Sequence, residues 1–187
     1  MRKKIVFLNG PPGCGKDHFG HVLHGKLGFA RHKFASPITD AVRGMFNLTL
    51  DEVEACRGQG KDLPCDMFGG LTPRDVWISF SETWAKPVFG KKIFGYIAAE
   101  VARQSLMHRV CFTDCGFEPE CEAVCEAVEG DKLLIRIHRE GHTFEGDSRG
   151  YFDPSFCTSL DFLNRGVEDD DRRMLNTVLG WIKQGDE

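Results

Sequence analysis

The sequence predicts an α/β fold, a mostly parallel sheet of about five strands with helices on both faces. Three observations carry that expectation. Short apolar runs alternate along the chain with stretches of helical period, the pattern of strands joined by crossover helices. A Gly-rich turn, Gly10-Pro11-Pro12-Gly13-Cys14-Gly15-Lys16, follows the first apolar run and opens the first helical stretch. The composition is that of a folded soluble domain: 187 residues, 41% hydrophobic and 28% charged, with a mean hydropathy of -0.29. This length suits one domain with a proper core, so residues 1–187 are expected to form a single domain.

Residues 5–8 read as the first strand and residues 16–27 as the first helix. A loop runs through Phe34, and a second helix is expected over residues 37–46 with Ser36 as N-cap. Residues 47–71 are Gly-rich and without clear period, and are expected to form an irregular surface excursion. Thr72-Pro73-Arg74-Asp75 is a helix start: a Thr cap, Pro at the first helical position and an acid in the first turn. Val76, Trp77, Phe80 and Trp84 mark its inward face, and Lys86-Pro87 is expected to stop it. Apolar residues from Phe94 to Leu106 recur at three- and four-residue steps, which predicts a core helix over residues 92–107. A strand over 109–113 ends in Asp114, and a helix follows from Glu118-Pro119 with Phe117, Cys121, Val124, Cys125 and Val128 on its apolar side. Residues 133–138 suit an interior parallel strand. Residues 139–156, rich in Gly, charge and aromatics, are expected to form a basic lid. A last strand over 159–163 and a closing helix over 169–183, with Met174, Val178 and Ile182 inward, complete the pattern.

Charge narrows the partners. The 24 Lys and Arg stand against 28 Asp and Glu, a formal net charge of -4 and a pI of about 6.0, which excludes a protein drawn onto nucleic acid by its overall field. A local patch from Lys86, Lys91, Lys92, Arg103 and Arg109 would have to do it. The basic start MRKK leads into an apolar run too short for a secretory core, so the expected location is the cytoplasm and no membrane partner is expected. Reduced thiols are therefore expected for the 8 cysteines. Cys111, Cys115, Cys121 and Cys125 are not spaced as a zinc ribbon or finger, and two of them fall on an apolar helix face, so buried thiols are expected rather than a metal centre.

The chemistry concentrates in the loop of residues 10–16, which matches G-x-x-x-x-G-K in the strand-to-helix setting that motif requires. Glycines let backbone N–H groups wrap phosphate oxygens at a helix N-terminus, and Lys16 reaches the outer phosphates, so ATP or GTP is the expected ligand. Asp17 stands where the common motif has Ser or Thr to hold magnesium; a carboxylate there can hold the ion or polarise an acceptor hydroxyl. Asp114, at the carboxyl end of a strand, faces the ligand crevice of such sheets and is a second candidate for magnesium or the acceptor. Arg136, Arg139 and Arg149 are candidates to meet charge developing on a transferred phosphoryl group. Arg74 is a candidate for an acceptor phosphate, and Phe34, in a loop, for stacking on a base.

The run FLNGPPGCGKD resembles the P-loop of bacteriophage deoxynucleoside monophosphate kinases, as does the order Phe34-Ala35-Ser36-Pro37, Thr72-Pro73-Arg74, Asp114 and a strand leading into a lid. Within that group the chain is most similar to the 5-hydroxymethyluracil DNA kinases of thymidine hypermodification. The runs that carry this are Ser81-Glu82 through Phe89-Gly90, Asp114-Cys115-Gly116-Phe117, and His138-Arg139-Glu140-Gly141 through Gly146-Asp147-Ser148-Arg149. It departs from the monomer kinases at Ser79-Phe80-Ser81-Glu82, where they carry a Leu-Gly-Thr-acid stretch.

The resemblance implies a P-loop kinase fold, ATP and Mg2+ as cofactors, and phosphoryl transfer to the 5-hydroxymethyl group of a modified uracil in DNA. Free deoxynucleoside monophosphates are the alternative acceptors, and a non-catalytic ATP-binding module is a further one. For a phage-encoded chain the location implied is the host-cell cytoplasm.

Overall fold

The computed structural model describes residues 2–184. Contacts divide the chain into two compact units, one made of the residues up to 34 with those from 95 on, the other of residues 35–94.

The first unit holds one five-stranded sheet in the order β2-β3-β1-β4-β5, built from β1 (Lys3–Asn9), β2 (Ala30–His32), β3 (Arg109–Cys115), β4 (Gly130–His138) and β5 (Thr158–Leu163). Every pairing is parallel, with Ile5 opposite both Val110 and Lys132 and Leu133 opposite Thr158. Helix α1 (Lys16–Leu27) follows β1, α6 (Ile93–Gln104) precedes β3, α7 (Glu118–Ala127) lies between β3 and β4, and α8 (Asp169–Gln184) closes the described chain.

Successive side chains of β1 enter opposite cores, which is why its sequence is continuously apolar rather than alternating. Val6 and Leu8 pack with Phe19 and Leu23 of α1 and with Met174, Val178 and Ile182 of α8. Ile5 and Phe7 pack with Ala98, Ala99 and Ala102 of α6 and with Cys121 and Val124 of α7. Helices therefore cover both faces, as the alternating pattern predicts. Helix α6 approaches α7 closely at Gly95, where a Cβ would meet the Glu120 carbonyl at 2.4 Å. Strand β2 lies within the stretch expected to be loop; its three residues are too few for period alone to reveal, and pairing with β3 creates it. Leu106, expected on the inner face of α6, is 97% exposed because the helix ends before it.

The second unit holds α2 (Ser36–Met45), α3 (Leu50–Arg57), α4 (Pro73–Ser79) and α5 (Lys86–Phe89). Its core is small: Leu48, Val53 and Phe68, flanked by Phe46, Val76 and Trp77. Ser36 is the first helical residue of α2 and not its cap, a place Ala35 takes without a side-chain bond. The expected irregular excursion contains α3, started by a capping box in which the Thr49 hydroxyl accepts the Glu52 N–H and the Glu52 carboxylate accepts the Thr49 N–H at 2.8 Å. Thr72 and Asp75 form the same device ahead of α4, as expected.

Lys86-Pro87 does not stop that helix. A π-helical turn, Phe80–Ala85, carries the chain into α5, which contains Pro87; Gly90, at φ 91°, ends it. The wider turn also rotates the face, burying Ser81 and Ala85 and leaving Trp84 49% exposed.

Candidate phosphate-binding site

The loop between β1 and α1 has the conformation that its sequence requires. Gly13 and Gly15 have φ of 76° and 107°, where an L side chain is strained. A side chain would also displace the residues packed on the loop: a Cβ on Gly13 would meet the His142 ring at 2.6 Å, and one on Gly15 the Asn164 amide at 2.6 Å. Gly15 caps α1 directly, so the loop delivers its backbone to the positive end of that helix.

Lys16 is buried, and its Nζ donates to the Gly10 carbonyl at 2.5 Å and the Pro11 carbonyl at 2.7 Å. Burial, aided by the nearby Arg149 guanidinium, holds its ammonium pKa below the ordinary lysine value, against the pull of Cys14 and Asp17. The loop is braced from three sides. The Asn164 amide donates to the Cys14 carbonyl at 2.8 Å, His142 Nδ1 lies 3.0 Å from the Pro12 carbonyl, and Arg139 donates to the Gly13 carbonyl at 3.2 Å.

Asp17, in the first turn of α1, accepts from Lys33 Nζ at 2.8 Å and from the Thr113 hydroxyl at 3.2 Å. Burial works to raise its pKa, but Lys33 and Thr113 outweigh it, so the carboxyl is held below its usual range and is ionised at neutral pH. Asp114, at the carboxyl end of β3, accepts the Phe34 N–H at 2.8 Å. Helix α1 can sit this close to β3 because residue 20 is Gly; a Cβ there would meet the Thr113 methyl at 2.4 Å. The strand order changes direction about β1, and the crevice beyond the carboxyl ends of β1 and β3 is where open α/β sheets bind ligands.

Arg149 belongs to this site. It forks onto Asp147 at 2.8 and 2.5 Å, its aliphatic stem lies against Gly116, and Asp114 and Lys16 are within its electrostatic reach. Lys16, Asp17, Asp114, Arg139 and Arg149 are thus gathered about one loop.

Three expected residues stand differently. The Phe34 ring is 3% exposed and packs on Phe112 with centroids 4.8 Å apart, so it is a core residue and does not offer a stacking face. Its backbone, not its ring, serves the site. Arg136 projects from β4 and is tied to Asp161 of β5 at 3.0 and 2.8 Å and to Asp153 at 2.8 Å, which makes it a brace between strands rather than a mobile cation. Arg74 lies in the second unit, where its Nε donates to Asp62 at 2.5 Å. Residues 139–156 contain neither helix nor strand, and their Arg139 and Arg149 stand among Glu140, Glu145, Asp147 and Asp153, so the basic character expected of this segment resides in single side chains.

Lys33, His142 and Asn164 were not foreseeable from the sequence, since Lys33 reaches Asp17, and His142 and Asn164 reach the loop, from other parts of the chain. The donor set suits the expected ligands. Gly13 and Gly15, at positive φ, turn the backbone of the loop about Lys16 at the N-terminus of α1, and the Asp17 carboxylate beside the Thr113 hydroxyl offers the hard oxygens that magnesium takes.

No family model matches the chain, and no curated protein does. Among solved structures it is similar to a candidate kinase from Chloroflexus aurantiacus J-10-fl, at 10% identity and a TM-score of 0.56, the match covering 98% of this chain and 97% of that one. Another is a sugar kinase from Janibacter sp. HTCC2649, at 12% identity and a TM-score of 0.47 over 98% and 95% of the two chains. The first likeness shows a shared α/β fold. Among the described residues no helix is long and apolar enough to cross a membrane.

Proposed function

We propose that this protein transfers the γ-phosphoryl group of ATP to the 5-hydroxymethyl oxygen of 5-hydroxymethyldeoxyuridine in DNA. The observation that carries the kinase reading is the loop of residues 10–16 with buried Lys16 at its centre and Asp17 and Asp114 beside it. The acceptor is inferred from the resemblance of the chain to the phage DNA-base kinases. Two features of the site agree with it. A neutral hydroxyl needs a carboxylate to take its proton, and two are present. An anionic phosphate acceptor would need cationic clamps, whereas Arg74 and Arg136 are each engaged by carboxylates.

In this reading Lys16 leaves the Gly10 and Pro11 carbonyls for the β- and γ-phosphates, and the backbone of residues 13–16 holds the rest of the triphosphate. Magnesium, when bound, would neutralise charge on those phosphates, held by Asp17. A carboxylate kept ionised below its usual range is a good cation ligand and a poor base, so the base is Asp114. The acceptor oxygen bonds to the γ-phosphorus as the bond to the β-bridging oxygen breaks, the proton passes to Asp114, and ADP leaves. Arg149 and Arg139 face the charge that develops. The net charge of -4 gives the chain no overall field to hold a duplex, and a base inside the stack has to be exposed for reaction, so a flipped or single-stranded base is the expected substrate form.

The test is γ-labelled ATP with magnesium and a panel of acceptors: DNA containing 5-hydroxymethyluracil, unmodified DNA, and free deoxynucleoside monophosphates. Label in the modified DNA alone is expected; label in a monophosphate alone would make this a nucleotide-pool kinase, and ATP binding without acceptor-dependent turnover would make it a binding module. Asp114→Asn should keep ATP binding and lose turnover about 100-fold or more, while Asp17→Asn should weaken magnesium dependence as well. Full turnover in both variants would remove the carboxylates from the mechanism.

A further inference from the structure

Away from the phosphate loop, the fold brings three cysteines together from two distant parts of the chain. The thiol sulfurs of Cys121 and Cys125, one turn apart on α7, and of Cys157, just before β5, all lie within 4.8 Å of one another. Cys121 is buried, and Cys125 and Cys157 are half-buried. Among the described residues this is the one such grouping of His, Cys, Asp and Glu.

We infer that Cys121, Cys125 and Cys157 form a thiolate site for a soft d10 cation, zinc. The sulfur separations fit the geometry: zinc–sulfur bonds of about 2.3 Å in a tetrahedron put ligand sulfurs slightly under 4 Å apart. Residues four apart on a helix project to one face, so α7 presents two ligands at once, and the third arrives on the chain entering β5. A water molecule completes four-coordination.

Access exists, because Cys157 lines an open cavity of about 380 Å³ together with Lys132, Phe156, Thr158 and Trp181. The Lys132 ammonium acts electrostatically on Cys157 and would offset the negative charge that three thiolates leave on a divalent ion. Each thiol that ligates gives up one proton to solvent, and no oxidant or reductant is involved.

Sequence spacing points to a different set. Cys111, the first member of C-x3-C-x5-C-x3-C, is fully buried in the core against α1 and α8, on the opposite face of the sheet from Cys121. Cys157, 32 positions beyond Cys125 in the sequence, takes its place. The site would tie α7 to the start of β5, which borders the segment of residues 139–156, so its role is structural.

The test is metal analysis of the full chain purified without chelator from zinc-supplemented cells. About one zinc per chain is expected, with uptake falling roughly tenfold or more in Cys125→Ser and in Cys157→Ser and unchanged in Cys56→Ser, a half-buried thiol outside the cluster. Should the serine variants fail to fold, cobalt titration of the unaltered protein decides: intense sulfur-to-cobalt charge-transfer bands are expected, and their absence would overturn the site. Substoichiometric zinc in the unaltered protein, equal zinc in all variants, or a disulfide among the three cysteines in the freshly purified protein would overturn it too.

Discussion

Lys16 and Arg149 illustrate how one residue type does different work according to its partners. Lys16 is held by neutral carbonyls, which release it readily, and Arg149 by a bidentate carboxylate, which holds it to a direction. Lys16→Ala should therefore abolish the rise in Tm on adding ATP and reduce turnover by about 100-fold or more. In Arg149→Lys the charge remains but the fork onto Asp147 is lost. The expected result is kcat lower by about tenfold with KM for ATP little changed, read by steady-state kinetics. An equal loss in both parameters would show that Arg149 binds ground-state nucleotide instead. The site was legible to this extent: the loop residues and Asp17 follow from a motif, and Asp114 from its place at a strand end. Phe34 misled because a short strand hidden before it turns an apparent loop aromatic into a core one.

At the scale of elements, the turn before α8 links stability to the site. Asp170 is 1% exposed and accepts the N–H groups of Arg165 and Val167 at 2.7 and 3.2 Å and the guanidinium groups of Arg165 and Arg173 at 3.1 and 2.6 Å. Burial opposes its ionisation, yet these donors prevail and bring its pKa down to about 2. The same turn carries Asn164, whose amide holds the Cys14 carbonyl of the loop between β1 and α1. Asp170→Asn should cost roughly 2–3 kcal/mol, a Tm drop of roughly 5–10 °C in thermal melts, and should weaken ATP binding through Asn164. Because the folded pKa lies below the unfolded value of about 3.9, the stabilisation is complete above that range. It disappears as pH falls from about 4 through 2, so the variant's acid-unfolding curve should be flatter there. Helix α3 shows what was readable and passed over: Thr49 and Glu52 stand at capping-box spacing in a stretch whose glycines suggested irregularity.

For the whole molecule, the two units differ in how much apolar surface they bury. The sheet unit holds two cores, one on each face, rich in fully buried Phe, Leu and Ile. The unit of residues 35–94 has Leu48, Val53 and Phe68 at its centre, with Met45, Leu50, Leu63 and Val88 each at least 60% exposed. Amide exchange should therefore reach the global unfolding limit in β1 and β4 and open at lower free energy in α3 and α4; equal protection in all four would refute this difference. The alternation of apolar runs and helical stretches, with glycines spaced about Lys16, determined by itself the parallel α/β layering and the tight loop between β1 and α1, because strand burial and turn geometry are local demands on residue type. Only the tertiary structure decided that Asn164 and His142 brace that loop, that Lys33 holds Asp17, and that Cys157 joins Cys121 and Cys125. Such meetings depend on how distant segments are brought side by side in the sheet, and no spacing along the chain encodes them.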